Sequence, residues 1–116
     1  MTFNVTGRKI NAILNQRSQD ILVANNWNVV QYAILVHIFA QVCGLEVGEL
    51  VHVIADAHIY DRHIPLITEL IQRTPYPAPN LLINPDKKDF YEFKVEDFVL
   101  DNYQSDLQIK NIPVAI

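Results

Sequence analysis

With 116 residues, 50% of them hydrophobic and 19% charged, the chain has ordinary globular composition and fits one domain or part of a larger one. That length allows it to bury roughly two thirds of its unfolded surface. A formal net charge of −4 leaves no basic stripe to displace counterions, which argues against a general nucleic-acid binder.

The amino terminus, MTFNVTGRKI, lacks the apolar run of a secretory signal. β-Branched residues around Thr6-Gly7-Arg8-Lys9 make Phe3 to Leu14 read as two strand pieces about a turn. Asn25-Asn26 offers a cap, and Trp27–Cys43 reads as a helix stopped by Gly44. Its apolar residues run nearly all round, which predicts a buried central helix. Gln31, His37 and Gln41 interrupt it, so it is not apolar enough to span a membrane.

Glu46-Val47-Gly48 reads as a turn, and Leu50 to Tyr60 then alternates with period two. One face carries Val51, Val53, Ala55, Ala57 and Ile59; the other carries His52, Ile54, Asp56, His58 and Tyr60. Pro65 suits the first turn of a helix through Leu66–Arg73. Pro75, Pro77 and Pro79 enforce an extended stretch before a short strand, Leu81–Ile83. FYEFKVEDFVLDNY suggests a helical turn and a strand over Phe98–Tyr103. The final IPVAI is apolar for a chain end, which implies that it docks.

Some residues carry chemistry beyond packing. The Arg17 guanidinium matches phosphate oxygens as a fork, and Ser18 can add a hydroxyl contact; the alternative is a surface Arg beside a turn. Asn28, at the first turn of the helix, can donate to O4 and accept from N3–H of a uracil, or it can simply cap. Asp56, His58 and Tyr60 share a strand face, where they could serve as acid and base or bind a sugar hydroxyl. Two ligand-type residues without a third nearby make a poor zinc site, so no metal is expected. Cys43, the single cysteine, excludes an internal disulfide, fits a reducing cytoplasmic setting, and reads as a small core residue without an activating cation.

Taken in order, QRSQD, NNWNVVQYAILVHIFAQ, LEVGELVHVIADAHIYDRH, YPAPNLLI, YEFKVEDF and the terminal PVAI closely resemble the carboxy-terminal half of thymidylate synthase, over essentially the whole chain. The resemblance implies methyl transfer from 5,10-methylenetetrahydrofolate, as co-substrate, to deoxyuridylate (dUMP), giving thymidylate (dTMP). It implies a dUMP site made by Arg17, Ser18, Gln19, Asp20, Asn28, His58 and Tyr60. Within that site Arg17 and Ser18 bind the 5′-phosphate, Asn28 reads the uracil edge, and His58 with Tyr60 holds the 3′-hydroxyl. Asp20 and Ala115 meet the folate, and Asp56 is a buried structural partner. A cytoplasmic homodimer is implied, stacked through the sheet.

The departures also bear on function. The family's nucleophilic cysteine stands a few residues before the position of Met1, so the resemblance assigns no catalytic residue within this chain and implies that the chain alone is inactive. Trp27-Asn28 stands in place of the common Pro-Phe-Asn pattern and keeps the Asn, and IKNIPVAI is one residue longer than the commonest ending. The alternative is a non-catalytic nucleotide-binding or dimerisation module. Deoxycytidylate hydroxymethylase is disfavoured, because the 4-amino group of cytosine wants an acceptor where Asn28 stands. The expected fold is α/β (α+β): one domain over 1–116, with a mixed, mostly antiparallel sheet against a long buried helix.

Overall fold

The computed structural model describes residues 1–114. Five strands and two helices follow in chain order: β1 Thr2–Thr6, β2 Lys9–Asp20, α1 Asn25–Cys43, β3 Glu46–His58, α2 Ile64–Leu70, β4 Asn80–Ile83 and β5 Phe98–Asp101. Single 3-10 turns lie at Asp61–His63, Phe90–Glu92 and Val95–Asp97. The main sheet runs β1-β2-β3, and β4-β5 form a separate pair. β1 with β2 and β4 with β5 are antiparallel, whereas the longest pairing, β2 with β3, is parallel, with α1 as its crossover. The mixed α/β architecture is the expected one.

Gly7, at a φ of 60°, makes the β1–β2 turn where a side chain would be strained. β2 then continues past Leu14 through Asp20, so QRSQD is strand and not loop. Its even positions Ile10, Ala12 and Leu14 are buried. Ile10 and Ala12 join Val36 and Ala40 of α1 in the core cluster, with Phe39, Leu45 and Leu50 packed around it.

β3 starts at Glu46, four positions earlier than Leu50 and through the segment expected to turn. Gly48 is present for close approach. A β-carbon there would meet the Asn11 side chain and stand 2.7 Å from the Ile10 carbonyl oxygen. The register shifts between Ile10 and Ala12, and Asn11 Oδ1 accepts from the Glu49 N–H at 2.9 Å.

α1 ends as expected at left-handed Gly44, but its start and its burial differ from expectation. The N-cap is Ala24, without a side-chain hydrogen bond. Instead, Asp20 Oδ1 accepts from the N–H groups of Leu22 and Val23 at 3.0 and 3.1 Å, which organises the entry turn. Only Val36 and Ala40 of α1 are buried, and Trp27 is 79% exposed. A helix apolar on every side needs neighbours on every side. Here the main sheet covers one side and Phe90 stacks on Phe39 at 5.3 Å on another. Cys43, expected in the core, is exposed at the last turn for the same reason.

The outward face of the main sheet is apolar and bare. Ile13 sits opposite Val51 in register, with Val53 following it on β3, and these three are 44%, 47% and 48% exposed. The short strands and the helical turn before β5 lie close to where the sequence places them.

Candidate functional site

The parallel register sets Ser18 opposite Asp56, Gln19 opposite Ala57 and Asp20 opposite His58. Two polar runs far apart in sequence therefore finish side by side at the same end of the sheet, where the strands hand over to α1 and to the Tyr60 turn. In an open sheet with a helical crossover, the carboxyl ends of parallel strands form the natural crevice for a ligand.

Gln16 ties this end together. Its Nε2 donates to the Ser18 carbonyl at 3.0 Å and to Asn28 Oδ1 at 3.2 Å. Its Oε1 accepts from His52 Nε2 at 2.8 Å. The amide of Asn28 is thereby fixed in orientation, with its two N–H donors and one lone pair of Oδ1 still available. Neither Gln16 nor His52 was singled out from the sequence. The available signal was their parity, since each puts a polar group on the inward face of a strand.

Arg17 is exposed, and no acidic side chain among the described residues is paired with it. Gln19 is 1% exposed, donates through Nε2 to the Asp20 carbonyl at 3.2 Å, and leaves Oε1 without a partner among the described residues. The carboxylate of Asp20 is partly occupied by the entry turn of α1. His58 and Tyr60 meet edge to face, with ring centroids 5.1 Å apart. Tyr60 falls just beyond β3, in extended backbone that begins the next turn.

Asp56, implied to be buried, is instead 69% exposed at its side chain, because it lies at the open end of the sheet, 3.6 Å from His58 Nδ1. Ala115 lies outside the described residues. Among the described residues, no cluster of His, Cys, Asp or Glu could hold a metal ion, and no helix is long and apolar enough to cross a membrane.

A cavity of about 900 Å³ is lined by Leu22, Val23, Trp27 and Val30, just after β2 and in the first turns of α1, and by Tyr103 and Ile112 of the terminal segment. Its walls are mainly apolar, which suits a flat aromatic molecule. Arg17, Ser18 and Asn28 are not among the residues that line it.

This arrangement defines a mixed α/β domain in which two polar strand ends meet at one end of a parallel pair. The chain belongs to the thymidylate synthase family, whose model matches residues 1–116. Its structure is similar to that of the thermostable thymidylate synthase A from Bacillus subtilis, with a TM-score of 0.90 and 37% identity over 98% of this chain. The chain spans 40% of the length of that enzyme.

Proposed function

We propose that this chain supplies the nucleotide-holding half of a thymidylate synthase site, for methyl transfer from methylenetetrahydrofolate to deoxyuridylate. Arg17 and Ser18 hold the 5′-phosphate as a charge-assisted fork plus hydroxyl. Asn28, oriented by Gln16, donates to O4 and accepts from N3–H of the uracil. His58 and Tyr60 take the 3′-hydroxyl. Gln19 steadies the backbone between Ser18 and Asp20. Asp20, whose carboxylate holds the Leu22 and Val23 N–H groups next to the 900 Å³ cavity, and Ala115 meet the folate co-substrate.

The observation that carries this reading is the parallel register, which sets Ser18 and Asp20 against Asp56 and His58. Chemistry at C6 of the base needs a nucleophile within bonding reach. Cys43 lies fifteen helical positions beyond Asn28 on α1, about 22 Å along the axis at 1.5 Å per residue. The chain by itself therefore binds without turning over, which is also what a non-catalytic binding module would do. The bare row of Ile13, Val51 and Val53 supports pairing of two copies through stacked sheets, in keeping with a homodimer.

The test is ligand-observed NMR of the chain with deoxyuridylate, deoxyuridine and deoxycytidylate, alongside an assay following dihydrofolate absorbance. Expected are saturation transfer to the deoxyuridylate base and sugar, weaker transfer for the other two, and no dihydrofolate. Equal transfer to all three ligands would remove the base and phosphate assignments. Turnover that disappears in Cys43→Ser would make Cys43 the nucleophile.

A further inference from the structure

Residues 103–114 have no regular structure, yet three side chains from one neighbourhood hold them. Arg73 Nη1 donates to the Leu107 carbonyl at 3.0 Å, and the Tyr76 hydroxyl donates to Asp106 at 2.9 Å, both at exposed positions. The third is different. His63, 1% exposed, places Nε2 2.9 Å from the Pro113 carbonyl oxygen. A carbonyl only accepts, so Nε2 carries the proton and donates.

The other ring nitrogen points toward the site. His63 Nδ1 is buried without a hydrogen-bond partner among the described residues and lies 4.0 Å from Asp20 Oδ1. That same oxygen receives the Leu22 and Val23 N–H groups. The ring also packs edge-on against Tyr60, at a centroid distance of 5.5 Å. An apolar side chain would fill this space without leaving a buried nitrogen unpaired, a cost that a plain core residue has no reason to carry.

We propose that His63 is a positioning residue that couples the terminal segment to the nucleotide end of the sheet. Docking of Pro113 fixes the ring through its Nε2–H, and the fixed ring sets the packing of Tyr60 and the space beside Asp20 Oδ1. The consequence for ligand binding rests on the function proposed above, whereas the coupling stands on these contacts alone.

The experiment needs no ligand, so its failure is distinct from failure of the nucleotide assignment. In the full chain, the imidazole ¹⁵N spectrum should show His63 protonated at Nε2, and Asp20→Asn should shift the Nδ1 signal. Trypsin should cut after exposed Lys110 about fivefold to tenfold faster in His63→Leu than in the parent, with cleavage after Lys88 as the internal reference. His63→Gln keeps an N–H donor for Pro113 and should stay near the parent rate. Equal Lys110 cleavage in all three folded proteins overturns the proposal. If His63→Leu does not fold, the ring spectrum decides: an Nε2 without a proton, or an Nδ1 signal unmoved by Asp20→Asn, overturns it equally.

Discussion

Asp20 and His58 face each other at the last register position of β2 and β3, and the Ile21 N–H extends the pairing by donating to the His58 carbonyl at 3.0 Å. The sheet therefore does not fray where its polar residues begin. Backbone pairing persists to the end of both polar runs, so the side chains proposed to hold the nucleotide start from a paired backbone.

Arg17→Ala should weaken deoxyuridylate binding about tenfold or more, since a charge-assisted hydrogen bond contributes about 1.5–3 kcal/mol. Deoxyuridine, which lacks the phosphate, should bind the parent and the variant alike. Titration calorimetry with both ligands checks this, and an equal loss for both would place the phosphate elsewhere.

Asn28→Asp should turn preference from deoxyuridylate toward deoxycytidylate. The carboxamide fits O4 and N3–H together, and cytosine inverts both. Each buried mismatch costs about 1–3 kcal/mol, so the ratio should move by about one to two orders of magnitude. Gln16→Ala, which frees the Asn28 amide to rotate, should weaken both nucleotides without the switch. Competition NMR separates the outcomes; identical effects from the two variants would reduce Asn28 to a structural role.

The fold class and the family were legible in advance, the family because its motifs run in order along the chain. For the candidate site, type and spacing alone left Arg17, Ser18, Asp20, His58 and Tyr60 open to plain surface roles, and the resemblance is what groups them. The parallel sense of β2 against β3 was not legible, since period-two alternation is the same for either direction. Gly48 misled for a related reason: a glycine that admits a neighbouring backbone looks like a glycine that turns. α1 was read as buried because periodicity reports what a helix wants covered, not what a given stretch of chain covers.

Gly48→Ala should destabilise the fold by about 1–3 kcal/mol, because the added methyl must displace Asn11 or the Ile10 carbonyl. Asn11→Ala in the same background should recover part of the loss by removing the nearer obstacle. Urea denaturation of the single and double variants measures it. Additive losses would show that the two positions do not meet.

Asp97 provides an acid-range test away from the site. The hydrogen bond from Asn84 Nδ2, at 2.7 Å, and then the Lys94 N–H hold its carboxyl below the ordinary value of 3.8. A carboxylate with a depressed folded pKa contributes stability that is fully present above its unfolded value. That contribution is lost as pH falls through the folded value, so the window lies below about pH 3.8. In Asn84→Ala the Asp97 midpoint should rise toward 3.8 and the acid limb of stability should flatten. Carboxyl ¹³C titration reads it directly, and an unmoved midpoint would assign the shift to the backbone donor.

The parallel pairing of β2 with β3 also fixes an order of events during synthesis. A hairpin such as β1–β2 can close as soon as both strands are made, but a parallel partner must wait for the whole crossover helix. Arg17, Ser18 and Asp20 leave the ribosome well before His58 and Tyr60. Until then β2 carries an open hydrogen-bonding edge on the side that β3 will take, a surface that invites pairing with other nascent strands. Non-local closures of this kind are the slow steps of folding. The residues proposed to hold the nucleotide thus come together only once translation has passed the second strand. A ribosome stalled within α1 would present a chain that has Arg17 and Ser18 and lacks the strand that stands opposite them.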